Sequence, residues 1–143
     1  VSRLVVDASV AIKWYVPEVY SQPAVKLLAR QSAGDVSLHV PDLFFSEFGN
    51  IMWKKMRLGE FGIEVAQGIV EALTRVFKTA HRSESFLPSA VDLAHATGRT
   101  VYDSVYLALA ALLDCELVTA DGKLYRGLQD TPWSSLLIWV EDI

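Results

Sequence analysis

Cysteine is nearly absent: the 143 residues contain only Cys115. An intrachain disulfide is therefore excluded, and the fold has to rest on a packed core. Cys115 lies between Asp114 and Glu116 beside an apolar run and reads as a small packing residue. This usage fits a reducing compartment, and the cytoplasm is the expected location. Long hydrophobic runs are missing too. The longest charge-free apolar stretch, Ser104 to Leu113, falls far short of the roughly 20 residues a bilayer span requires, so no membrane association is expected. Arg3 followed by Asp7 does not resemble the start of a signal peptide. The three histidines, His39, His81 and His95, show no metal-ligand spacing among themselves or with Cys115, which argues against zinc. No glycine-rich phosphate loop is present. Ser9 has no evident histidine partner, which argues against a serine hydrolase. Positive charge is in deficit, with 13 Lys and Arg against 17 Asp and Glu and a net charge of −4. A nucleic-acid binder usually has a basic surface, so that function requires bound cations to reverse the field of some of the acids.

Apolar residues, by contrast, are plentiful, at 52% of the chain with a mean hydropathy of +0.28. The length suits one domain over residues 1–143, large enough to bury about two-thirds of the surface the unfolded chain exposes. Buried parallel strands account for part of the apolar excess. A dimer or partner interface accounts for the rest.

Apolar periodicity divides the chain into alternating strands and helices. Leu4 to Val6 reads as a first strand closed by Asp7-Ala8-Ser9, with a short helix over Val10 to Tyr15 that Pro17 interrupts. An amphipathic helix follows from Gln22 to Gln31, then a strand over Val36 to Val40. Phe44, Phe48, Ile51 and Met52 recur at helical spacing, with Lys54, Lys55 and Arg57 at the end and Gly59 as the stop. A further helix is expected over Ile63 to Phe77, and a weak strand over Lys78 to Ser83. Pro88 and Ser89 open a helix that stops at Gly98, and Thr100 opens another reaching Leu113. Glu116 to Thr119 is a strand closed by the turn Asp121-Gly122, in which Lys123 also falls, and Leu136 to Val140 is the last strand. Strands alternating with helices imply an α/β class with a mostly parallel sheet covered on both faces.

Function in such sheets concentrates at the carboxyl ends of the strands, where Asp7 and Asp121 both fall. Each by itself is also a common helix cap or turn residue. Asp103 shares a helix face with Tyr106, Leu107 and Ala110, so its carboxylate loses hydration and must find a cation, donors or a proton. Glu47 borders the apolar face of Phe44, Phe48 and Ile51. Converging carboxylates repel by about 4 kcal/mol per pair at 4 Å and an effective dielectric of 20. A divalent cation removes that conflict, and hard oxygen ligands favour Mg²⁺ or Mn²⁺.

These segments resemble the PIN-domain family, in particular the VapC toxins of toxin–antitoxin pairs. The resemblance is carried by VVDASVAIKW, PDLFFSEFGNIMWK, TVYDSVYLALA and LVTADGKLY, in that order and through nearly the whole chain. It implies a three-layer α/β/α fold with a parallel sheet, and a metal-dependent ribonuclease whose metal-binding, catalytic acids are Asp7, Glu47, Asp103 and Asp121. It further implies supporting roles for Ser9, Asn50 and Thr119, a VapB-type antitoxin as partner, RNA as substrate, and homodimerisation. Ser104 departs mildly from the alanine more usual after the third acid. Lys13, Lys54, Lys55 and Arg57 are candidate contacts to the RNA backbone. A PIN-like protein that binds RNA or a partner without cutting stays open as an alternative, as does a PIN nuclease devoted to RNA maturation. A phosphoacceptor receiver domain is disfavoured, because Asp7 lacks a paired acid and no lysine ends a late strand.

Overall fold

A computed structural model describes residues 1–77 and 80–143. Four strands, β1 (Ser2–Val6), β2 (Val36–His39), β3 (Glu116–Thr119) and β4 (Leu137–Trp139), form one sheet in the order β2-β1-β3-β4. Every pairing is parallel, with Val5 opposite both His39 and Leu117, and Leu117 opposite Leu137. Successive strand residues face opposite sides, yet Val5 and Val6, like Leu117 and Val118, are fully buried. Both faces of the sheet are therefore covered, giving the α/β/α architecture expected from the alternation of elements.

The helices are α1 (Ala8–Ala11), α2 (Ser21–Ser32), α3 (Leu43–Arg57), α4 (Ile63–Thr74), α5 (Leu87–Thr97), α6 (Val101–Leu112) and α7 (Gly122–Leu128). Local chemistry sets several of their ends. Asp7 caps α1, its Oδ1 accepting from the Val10 amide, and Thr100 caps α6 by accepting from the Asp103 amide at 3.1 Å. Gly98 ends α5 at φ 75°, a backbone state in which a Cβ would be strained. Phe44, Phe48 and Met52 form the buried stripe of α3, packed around Phe77 and the sheet. In α6 seven successive residues from Ser104 to Ala110 are buried, so this helix runs through the core.

Three expectations need correction. Lys78 and Thr79 lie outside the described residues, and the rest of that segment holds only a single bridge, His81 beside Pro41, instead of a strand. Asp121 and Gly122 do not merely turn the chain: they open α7, so Lys123 sits on a helix, with Leu124 and Leu128 buried beneath it. The short helix after Asp7 is split, with α1 tightening into a 3₁₀ turn over Ile12–Trp14.

Because all four strands are parallel, their carboxyl ends share one edge. The chain leaves β1 towards β2 on one side and β3 on the other, so the crevice beyond β1 and β3 is the point where the winding reverses.

Candidate active site

Asp7 and Asp121 follow β1 and β3 at that crevice, while Glu47 comes from α3 and Asp103 from the first turn of α6. All four line one cavity of about 300 Å³, together with Ser9, Asn50, Lys54 and Tyr106. The fold thus brings together side chains separated by up to 114 positions, and places Asn50 on the cavity wall as well.

Each acid is held by its own donors. Asp7 is buried at 9% exposure. Its Oδ1 accepts from the Ser9 hydroxyl at 2.5 Å and its Oδ2 from the Thr119 hydroxyl at 2.6 Å. Thr119 in turn accepts from the Asp121 amide, and Ser9 from the Ala120 amide, so these two hydroxyls tie the ends of β1 and β3 together. Asp121 Oδ1 accepts from the amides of Lys123 and Leu124 at the start of α7. Glu47 accepts from the Tyr106 hydroxyl at 2.5 Å. Asp103 pairs with Arg99 at 3.1 Å, one helical turn before it.

Electrostatics follow from this placement. Burial pushes the Asp7 carboxyl up from 3.8 to about 6, against the lowering effect of Ser9 and Thr119, and the charge of Asp121 pushes in the same direction as burial. Burial likewise raises Glu47; the Tyr106 bond opposes this and the charge of Asp103 adds to it. Burial and the Glu47 charge raise the Tyr106 hydroxyl far above its ordinary range, so it remains a donor at any physiological pH.

Tyr106 and Arg99 are the functional candidates that sequence reasoning did not assign. Tyr106 reaches Glu47 across 59 positions, which no local pattern reveals. Arg99 stands four residues before Asp103 but ahead of the Thr100 cap and outside α6, so the helical i, i+4 pairing rule does not announce the pair. Among the basic candidates, Lys54 alone lines the cavity. Lys13 pairs with Glu18, Lys55 lies near Glu18 and Glu60, and Arg57 stacks over Trp53.

Among the described residues no three His, Cys, Asp or Glu side chains already stand together as a closed metal cage. The chemistry of the set nevertheless fits a hard divalent cation. Its donors are all oxygens, and two of its carboxyls are held above their ordinary ionisation range by burial and by the charge of a neighbouring acid, Asp121 beside Asp7 and Asp103 beside Glu47.

An α/β/α domain with an acidic cavity where its parallel sheet reverses winding defines the class of protein. The match of the PIN domain profile to residues 4–127 makes the assignment specific: the chain belongs to the PIN-domain family. Ribonuclease VapC3 of Pyrobaculum aerophilum is 36% identical over 124 residues, which cover 85% of this chain and 92% of that protein. Solved structures share the fold. PAE2754 from Pyrobaculum aerophilum superposes with a TM-score of 0.69 at 24% identity, over 98% of this chain and 92% of the other. A toxin–antitoxin complex from Klebsiella pneumoniae gives 0.66 at 16% identity, over 98% and 99% of the two chains. VapBC2 from Rickettsia felis, bound to a DNA fragment from their promoter, gives 0.64 at 11% identity, over 96% and 98%.

Proposed function

We propose that the chain, as one domain over residues 1–143, is a metal-dependent endoribonuclease of the VapC kind, the toxin of a toxin–antitoxin pair. The observation that carries this reading is the meeting of Asp7, Glu47, Asp103 and Asp121 in one cavity of a PIN-family fold. Its likeness to a curated VapC ribonuclease supports the same substrate class.

In this reading the four acids hold Mg²⁺ or Mn²⁺. When bound there, such a cation would provide Lewis-acid chemistry, activating a water and stabilising the charge that develops on the scissile phosphate and the leaving 3′-oxygen. Ser9 and Thr119 orient Asp7 and keep its neighbour Asp121 in register through the Thr119 hydroxyl. Tyr106 fixes Glu47 and donates to its charged form. Lys54 on the cavity wall is placed to contact a backbone phosphate. The negative net charge is then no obstacle, since the cation and Lys54 reverse the field where RNA binds.

Cleavage of RNA with and without EDTA tests the reading, beside Asp7→Asn and Asp103→Asn. Each substitution is expected to lower cleavage about a thousandfold, matching a loss of about 4 kcal/mol of transition-state stabilisation. Products should carry 5′-phosphate and 3′-hydroxyl ends. Undiminished cutting in EDTA or in either variant removes the metal or that acid from the mechanism.

The antitoxin and a second copy of the chain have surfaces available to them. Trp53, Leu58, Ile63 and Val65 are exposed on and beside α3 and α4, and Leu87, Val91, Tyr102 and Leu112 on α5 and α6. Exposed apolar surface of this kind marks interfaces. Sedimentation of the purified chain at micromolar concentration should give the mass of a dimer; a monomer overturns the homodimer.

A further inference from the structure

Of the four acids, three are held by neutral donors and one by a cation. Asp7 is held by hydroxyls, Asp121 by helix amides and Glu47 by a phenol, whereas Asp103 Oδ2 is held by the Arg99 guanidinium. Arg99 is not a free surface charge. Its side chain is about one-quarter exposed, its Nε is buried without a partner among the described residues, and its guanidinium lies on α7 against Gly127. A Cβ at Gly127 would come to 3.2 Å from Arg99 Nη1, so the bare backbone there makes room for the guanidinium. Arg99 also directly precedes Thr100, the cap of α6, so its backbone is anchored at the helix start that carries Asp103.

We propose that Arg99 is a resident counter-charge that competes with the divalent cation for Asp103. The pairing gives Asp103 a resident counter-charge, so an incoming cation must share or displace a positive group at this acid alone. The cation is then held weakly until a nucleic-acid phosphate offers the guanidinium another anion. This rests on the metal-dependent reading above. It differs from an ordinary structural role in the sign of its effect. Loss of a merely structural or orienting partner loosens metal binding, whereas loss of a competing charge tightens it.

The test is Mn²⁺ titration by calorimetry, without RNA, on the wild-type chain and on Arg99→Gln, Arg99→Met and Arg99→Lys. Thermal melts in EDTA verify that each variant is folded. The two neutral substitutions keep most of the aliphatic stem, so either suffices if the other fails to fold. The expected result is Mn²⁺ binding roughly tenfold tighter in the neutral variants, the order of effect of removing one like charge from a partly exposed site. Arg99→Lys, which keeps the charge, should stay within about twofold of wild type on the same grounds. Adding single-stranded DNA as a competing polyanion should tighten Mn²⁺ binding in the wild type and do so less in the neutral variants. Neutral variants that bind Mn²⁺ no more tightly than wild type overturn the inference while leaving the metal site standing. A folded wild-type chain that binds no Mn²⁺ at millimolar concentration overturns the metal reading itself, and this inference with it.

Discussion

The two halves of the acidic cavity are built differently. Asp7 and Asp121 follow adjacent central strands, where the backbone is fixed by the sheet on both sides. Their partners are short hydroxyls and backbone amides from the strand ends and from the helices α1 and α7 that follow them, and Asp7 is almost sealed from solvent. Glu47 and Asp103 come from helices, are only half-buried, and use long side chains, Tyr106 and Arg99, as partners. Asp7 in the strand half is dry, so its carboxylate is costly to ionise, while Asp121 beside it is half-buried and held by the backbone amides that open α7. In the helix half neither acid is sealed as Asp7 is, and orientation depends on side chains with more rotatable bonds. Strand ends supply precision and helices supply access.

The largest expected effect tests the dryness of the strand half. An acid whose folded value is raised binds a proton that the unfolded chain releases, so stability falls as pH rises between the two values. For Asp7 that window runs from about 3.8 to about 6. Above it the ionised carboxylate costs the metal-free fold up to about 3 kcal/mol, at 1.36 kcal/mol per pH unit. Asp7→Asn should therefore raise the stability of the protein in EDTA at pH 7.5 by about 1–3 kcal/mol, with the advantage gone below about pH 4. Urea denaturation across that range measures it. Glu47→Gln should gain less, because Glu47 is only half-buried. Equal gains from the two would break the contrast between the halves.

Next comes the hydroxyl that joins the strand ends. Thr119→Val keeps the shape and removes the donor to Asp7 and the acceptor for the Asp121 amide. Loss of such a supporting partner typically lowers metal affinity or activity by 10–100-fold. Mn²⁺ titration and RNA cleavage should both show it. Tyr106→Phe, the equivalent deletion on the helix side, should cost roughly tenfold or less in the same assays, since Glu47 can turn to water. A larger loss for Tyr106→Phe than for Thr119→Val would reverse the assignment of which half carries the precision.

Much of this was legible from the chain alone, for a physical reason. Apolar runs closed by Asp7 and Asp121 mark strand ends whatever the rest of the fold does, and the Phe44–Phe48–Met52 stripe marks α3. The strand Glu116–Thr119 agrees with its predicted bounds, because its edges are set by local residues. Helix α7 was not legible: Gly122 and Gly127 weaken the helical signal, and the Asp121 cap together with Leu124 and Leu128 buried against the core holds it in place. Among the described residues, the strand expected over Lys78 to Ser83 is reduced to the His81 bridge, where His81 exchanges backbone hydrogen bonds with Val40 and Asp42 before the chain turns into a 3₁₀ helix at Ser83. Of the phosphate-contact candidates, the sequence could not separate Lys54 from Lys13, since the pairing of Lys13 with Glu18 depends on how the chain folds back after Pro17.

The amino-acid order by itself determined most of the elements and the places of Asp7, Glu47, Asp103 and Asp121 at strand ends and on helix faces, because those depend on periodicity and local chemistry. Tertiary structure alone decided that Tyr106 would steady Glu47, that Thr119 would bind Asp7 across 112 positions, and that Arg99 would be seated on Gly127. Contacts of that kind depend on which surfaces pack together. That is settled by burial summed over the whole chain and not by any neighbour in sequence.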